Sequence, residues 1–190
     1  SQLATAPDSY YRDLEIKCIS SYLKNKSFVL DIGCGNGYST LKFAKIFFKA
    51  NFLGIDYSEE MIKFAKKALL SKKMLKERVK FDIGNVMSLS SHTAMRKKFD
   101  YIVSERCLIN LLNWEEQKKA LLEMKKVLKK NGKIILCENT QEGLTRLNKI
   151  RQKLGLFSIK VHWHNYYIPE KKLLNIAKKH FVIKEVNNIG

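Results

Sequence analysis

A chain of 190 residues that is 45% hydrophobic can bury one core without staples, and its four cysteines (Cys18, Cys34, Cys107, Cys137) lack the C-x-x-C spacing of a zinc or redox motif. No apolar run approaches the ~20 residues of a membrane span and no charged-then-apolar leader precedes the first helix, so the reading is a soluble, cytoplasmic single domain. The formal net charge of +18 invites a nucleic-acid partner, but only six of the 36 basic residues are arginine, and lysine pairs such as Lys66-Lys67, Lys125-Lys126 and Lys178-Lys179 read as solvated helix faces.

In chain order, a helix is expected from about Ser9 to Leu23, then a strand from Phe28 to Ile32. A second helix should run from Tyr38 to about Phe48, and a second strand from Phe52 to Ile55. Ser58 is placed to cap the next helix, with Glu59 and Glu60 in its positive first turn and Met61, Ile62, Ala65, Ala68 and Leu69 as its buried stripe. Strands follow at Val79 to Ile83 and Tyr101 to Ser104, then a helix from Trp114 to Leu128. Asn131-Gly132 should stop that helix, with a fifth strand from Lys133 to Glu138. A further helix is expected from Gly143 to Leu154, with Leu144, Leu147 and Ile150 inward, then a last helix and a sixth strand from Phe181 to Ile189. Alternating βα units with near-continuous apolar strands imply an α/β fold, a doubly wound and mostly parallel sheet.

The most informative stretch is VLDIGCGNGY, Val29 to Tyr38, in which a strand carrying Asp31 runs into Gly33-x-Gly35-x-Gly37. Glycines there permit a sharp turn and let backbone N–H groups approach a ligand. Asp56 closes the next strand, 19 residues after Gly37. A dinucleotide fingerprint would place a third glycine or alanine where Tyr38 stands, because pyrophosphate needs close backbone approach, so Tyr38 disfavours a nicotinamide cofactor. A cofactor-free glycine turn is the remaining alternative.

Together Asp31, the glycine turn and Asp56 resemble the class I S-adenosylmethionine-dependent methyltransferases. The resemblance implies the Rossmann-like order 3-2-1-4-5-(7)-6, with residues 1–138 as the cofactor-binding core, 139–168 as a substrate-capping insertion and 169–190 as the last helix and strand. No residues remain for the seventh strand, so the native chain is expected to continue past Gly190; Ser1 in place of methionine reads as a processed or cut N-terminus. The implied cofactor positions are Arg12, Asp31, Gly33, Cys34, Gly35, Asp56, Tyr57, Met61, Asn85, Val86 and Glu105. Among them Asp56 would hold the ribose hydroxyls, Met61 the adenine face and Asn85 the adenine edge.

After the fourth strand, Ser104-Glu105-Arg106-Cys107 lacks the Asn/Asp-Pro-Pro-aromatic motif of base-amino enzymes, and Cys107 lacks the Pro-Cys or Thr-Cys context of cytosine-C5 enzymes. No metal-ligand cluster stands out, and no metal is expected. The acceptor read from this is a small and anionic molecule, bound through Arg106, Asn110, Asn148, Arg151 and Asn165. His164 or His162, or Glu138, would serve as base. The combination of Arg106-Cys107-Leu108-Ile109-Asn110, Leu147-Asn148 followed by Arg151, and Trp163-His164-Asn165 is similar to class I methyltransferases of bacterial surface-polysaccharide and related small-molecule pathways. RNA methylation, and cofactor binding without catalysis, stay open; so does the oligomeric state.

Overall fold

The structure is a computed structural model and describes residues 9–188. The elements are α1 (Ser9–Ser20), β1 (Phe28–Ile32), α2 (Tyr38–Ile46), β2 (Asn51–Asp56), α3 (Glu59–Leu70), β3 (Val79–Ile83), β4 (Phe99–Glu105), α4 (Trp114–Val127), β5 (Leu128–Cys137), α5 (Gln141–Lys153) and α6 (Glu170–His180). The five strands pair in parallel in the order β3-β2-β1-β4-β5, the doubly wound arrangement expected from the alternating units. Among the described residues no helix is long and apolar enough to cross a membrane.

The three inner strands β1, β2 and β4 are buried on both faces, and alternation along them sends side chains to two cores. Val29, Phe52, Tyr101 and Val103 join Ile16, Ile19, Phe43 and Ile62 on the α1–α3 side. Leu30, Ile32, Leu53, Ile55 and Ile102 join Leu121 and Met124 on the α4 side. By that alternation Asp31, two residues after Val29, belongs to the α1–α3 side, where burial of a carboxyl is costly unless it is paired. Phe43, Phe52 and Phe99 are among the fully buried side chains; truncating one to alanine should cost about 3–5 kcal/mol.

Two boundaries differ from the sequence reading for a physical reason. Asn131-Gly132 does not end α4; the helix stops at Val127, and Leu128 turns extended (φ −82, ψ 141) to start β5. The four residues before Lys133 are absorbed in an irregular register, Phe99 pairing Leu128 and Tyr101 pairing Lys133. A Cβ on Gly132 would stand 2.8 Å from the Leu128 side chain and 3.0 Å from the Asp100 carbonyl, so the glycine serves this bulge rather than a helix end.

The expected sixth strand is absent over Phe181 to Asn188, which carries no strand, and Ile189 lies outside the described residues. Among the described residues β5 pairs only with β4, and residues 181–188 form no ladder on its open edge. Nor does α5 have a buried residue: Leu147 and Ile150, expected inward, are exposed.

Candidate functional site

Strand order reverses between β1, which leads on to β2 and β3 on one side, and β4, which leads to β5 on the other. In open parallel sheets the crevice beyond the carboxyl ends at that reversal is where ligands bind. The glycine turn lies there. Gly33, Gly35 and Gly37 take φ values of +65, +53 and +77, a region that side chains with a Cβ rarely enter. Space enforces the choice as well: a Cβ on Gly33 would stand 2.6 Å from the Cys107 side chain, and one on Gly37 2.6 Å from the Phe81 ring. The turn is pinned across the sheet by Cys34 N–H donating to the Ile55 carbonyl at 2.9 Å.

Two carboxylates flank it. Asp31 is buried and accepts a hydrogen bond from the Thr40 hydroxyl on α2; burial raises its pKa to about 7 despite that bond. Asp56, also buried, accepts from Gly35 N–H and from Ser58 N–H, each at 2.9 Å and each on a different oxygen. One lone pair on each oxygen stays available for a diol. Ser58 in turn accepts from Met61 N–H, fixing the start of α3 as expected. Met61 is half-buried on that first turn, whereas Tyr57 is 81% exposed.

Beyond β3, Asn85 is exposed and its carbonyl oxygen accepts from Met87 N–H at 2.8 Å, leaving its amide N–H groups as donors to a ligand. Val86 is buried in the α4-side core. On α1, the buried Arg12 lays its guanidinium 3.7 Å from the Tyr38 ring centroid.

At the end of β4, Arg106 adopts φ +52 and its guanidinium Nη2 lies 3.3 Å from Glu15 and 3.8 Å from Glu105. Arg106, read as an acceptor-binding cation, is therefore engaged by carboxylates of this chain. Glu138 also has partners within the chain. Half-buried, it accepts from the Ser104 hydroxyl, from Cys107 and Leu108 N–H at 3.0 Å and from Ile109 N–H at 3.3 Å. Oε1 takes three of these bonds and Oε2 one, so the Glu138 carboxylate anchors the turn after β4 rather than standing unengaged as the base reading expects.

The segment from Asn139 to Ile168 closes on itself at its base, with Ile168 N–H donating to the Asn139 carbonyl and Gln141 N–H to that of Ile168, both at 3.0 Å. Within it Asn148 does not face an acceptor: its side chain accepts from Ile159 N–H and donates to the Ile159 carbonyl, at 2.8 and 2.9 Å. Arg151 donates to the Phe157 carbonyl at 2.7 Å. Both residues clip the chain that follows α5, and neither converges on the crevice as expected.

Asn165 and Asn110 do meet. Asn165 donates to Asn110 at 2.9 Å, Asn110 donates to the Arg106 carbonyl at 2.8 Å, and Tyr166 N–H donates to the Ile109 carbonyl at 2.7 Å. This ladder lays the segment against the turn after β4. His164, next to it, is exposed, its ring stacked on His162 at 5.7 Å.

The methyltransferase-domain family matches residues 23–178. The chain belongs to that family, the class I, Rossmann-like S-adenosylmethionine-dependent methyltransferases. It is 32% identical over 146 residues to the uncharacterized protein RP028 of Rickettsia prowazekii, covering 77% of this chain and 56% of that one. It is 30% identical over 145 residues to the malonyl-[acyl-carrier protein] O-methyltransferase of Priestia megaterium, covering 73% and 48%. The chain thus spans about half the length of these curated relatives. Among solved structures it resembles PKMT2 from Rickettsia typhi in complex with AdoHcy, at 30% identity and a TM-score of 0.55, covering 81% of this chain and 28% of that one.

The methyltransferase crevice fits the family's cofactor on its donors and acceptors. Asp56 has acceptors that could hold a diol, the Asn85 amide has donors that could meet a heteroaromatic edge, and the carboxylates at the ends of β1 and β4 could hold a cationic amino-acid end. Thr40, Glu15 and the buried Gln117, which donates to the Leu108 and Tyr166 carbonyls, escaped the sequence reading. Glu15 had a signal: it is a charged residue beside Ile16 and four before Ile19 in a helix whose apolar stripe is buried.

Proposed function

We propose that this chain binds S-adenosylmethionine in the crevice between the carboxyl ends of β1 and β4 and transfers its methyl group to an oxygen of a small acceptor. The single observation that carries this is the left-handed glycine turn with Asp56 hydrogen-bonded into it. The AdoHcy complex of the Rickettsia typhi relative and the O-methyltransferase among the curated relatives support it. No metal is invoked; the reading needs none.

When bound, the cofactor would supply a sulfonium-bound methyl carbon to the acceptor oxygen, the electron pair of the carbon–sulfur bond leaving with sulfur. The chain's part is positioning, with the acceptor oxygen held about 3 Å from the methyl carbon. Asn110 and Asn165 orient the acceptor beside the turn after β4, and 139–168 acts as the cap that keeps water out. His164, on that cap and open to solvent, receives the acceptor's proton. Glu138 and Arg106, engaged within the chain, hold the turn in place.

The acceptor assigned by this reading is a sugar or phosphorylated metabolite of surface-polysaccharide type, on the resemblance of residues 106–110, Leu147-Asn148 with Arg151, and residues 163–165. A methyl-transfer screen against phosphorylated sugars, sugar nucleotides and bulk RNA, read as S-adenosylhomocysteine release, tests it. Turnover on a small acceptor supports the reading. Turnover on RNA alone replaces it with RNA methylation, and turnover on nothing despite cofactor binding leaves a cofactor-binding protein.

A further inference from the structure

Three polar atoms converge under α1 without a hydrogen-bond partner although they are shut off from solvent: Glu15 Oε2, Glu105 Oε1 and Arg106 Nε. One guanidinium nitrogen stands within ion-pair distance of both carboxyls, at 3.3 Å from Glu15 and 3.8 Å from Glu105. Unpaired buried polar atoms are costly, and two carboxylates facing a single cation leave one negative charge in excess. Such a cluster sits beside the crevice where the family's cofactor binds. Asp56 at the end of β2 takes the ribose and Asn85 beyond β3 the adenine edge, so the methionine end of the cofactor runs the other way along the strand ends, toward β4.

We propose that Glu15 holds a proton beside Glu105, across the Arg106 guanidinium, and that the ammonium of the cofactor's methionine end displaces it on binding. The inference rests on the cofactor reading above. Charge balances on both sides: one carboxylate, one carboxylic acid and one guanidinium before binding; two carboxylates, one guanidinium and one ammonium after, with the proton released to solvent. Glu15 is thereby the group through which α1, at the edge of the site, senses cofactor.

The surroundings support this assignment. Facing Glu15 are Tyr11 on its own helix, Glu105 and Arg106 from β4, and Cys137 and Glu138 from β5; the Cys137 thiol donates to Glu15 at 3.9 Å. From α2, Tyr38 and Lys42 face Asp13 instead, and Asp31 of β1 faces Glu105. Burial raises the Glu15 pKa to about 8 against the lowering by the Arg106 guanidinium, and the neighbouring Glu105 and Glu138 add to the rise. The acid form is therefore the one present at neutral pH.

Calorimetry in two buffers of different ionisation enthalpy counts the released proton. At pH 7 S-adenosylhomocysteine should release close to one proton, and 5′-methylthioadenosine, which keeps the nucleoside but lacks the amino acid, close to none. In Glu15→Gln the homocysteine ligand should bind more weakly and without proton release. In the unaltered protein its affinity should rise with pH by up to about tenfold per unit and level off above the Glu15 pKa of about 8. These ligand and pH comparisons decide the matter even if Glu15→Gln does not fold. Equal proton counts for the two ligands, or a release that survives Glu15→Gln and vanishes in Asp31→Asn, overturn the proposal while leaving the cofactor reading intact. Binding of neither ligand at any pH overturns both.

Discussion

The Asp56 carboxylate accepts a hydrogen bond from Gly35 N–H at 2.9 Å, so the end of β2 is tied to the middle of the glycine turn of β1. One side chain therefore orders the turn and presents acceptors to a ligand diol. Its second oxygen, held by Ser58 N–H, fixes the start of α3 at the same time.

That double engagement makes Asp56 separable by substitution. Asp56→Asn keeps one acceptor oxygen and should lower S-adenosylhomocysteine affinity by roughly tenfold, whereas Asp56→Ala should lose about 1.5–3 kcal/mol of binding and some stability as well. Calorimetric affinities beside melting curves check this. An unchanged affinity in Asp56→Ala would place the ribose elsewhere.

Glycine at position 33 is required by backbone and space together. Gly33→Ala puts a Cβ at φ +65 and 2.6 Å from the Cys107 side chain, so the turn after β4 must shift. Loss of stability of about 1–3 kcal/mol with loss of cofactor binding is expected. Retained binding in this variant would show that the turn tolerates a side chain and does not cradle the ligand.

Acid groups raised by burial predict how the free protein responds to pH. Asp31 and Glu15 have pKa values near 7 and 8 in the fold, against ordinary values of 3.8 and 4.5. Between those limits the folded chain holds protons that the unfolded chain has lost. Stability from these two groups is thus complete below about pH 4 and falls as pH rises toward 8. Melting temperature measured from pH 5 to 8 should fall less steeply in Glu15→Gln than in the unaltered protein. Parallel slopes would mean that Glu15 titrates as an exposed carboxyl.

Glu138 offers a contrast between anchoring and catalysis. Glu138→Gln replaces a carboxylate bonded by four donors with an amide that brings its own N–H groups to face them, so about 1.5–3 kcal/mol of stability should go. His164→Ala should instead leave melting unchanged and slow methyl transfer by roughly 10²- to 10⁴-fold. A Glu138→Gln protein of full stability and no turnover would return the base role to Glu138.

Asn148 tests the clip that holds the capping segment. Asn148→Ala removes both hydrogen bonds to Ile159, which should expose residues 154–161 to protease while leaving S-adenosylhomocysteine affinity unchanged. Weakened cofactor binding would bring Asn148 into the site.

The five parallel strands, their helices and the glycine turn were legible in the residues because each depends on local chemistry: β-branched runs, a Ser58 cap, and glycines where no Cβ is tolerated. Asp31 and Asp56 could be placed at strand ends for the same reason, since a carboxylate closing an apolar run is visible without a fold. What the residues alone did not determine was partnership across the chain. Glu15 and Arg106 are 91 positions apart, and Glu138 reaches back to Ser104 and Cys107; only the stacking of β4 between β1 and β5 and the laying of α1 over their ends bring them together. The same holds for Asn148, Arg151 and Arg106, whose polar groups suit an anionic acceptor by type but are consumed by nearby backbone or buried carboxylates. Type and spacing state what a side chain can bind; burial and competition among neighbours, which exist only in the folded chain, decide what it does bind.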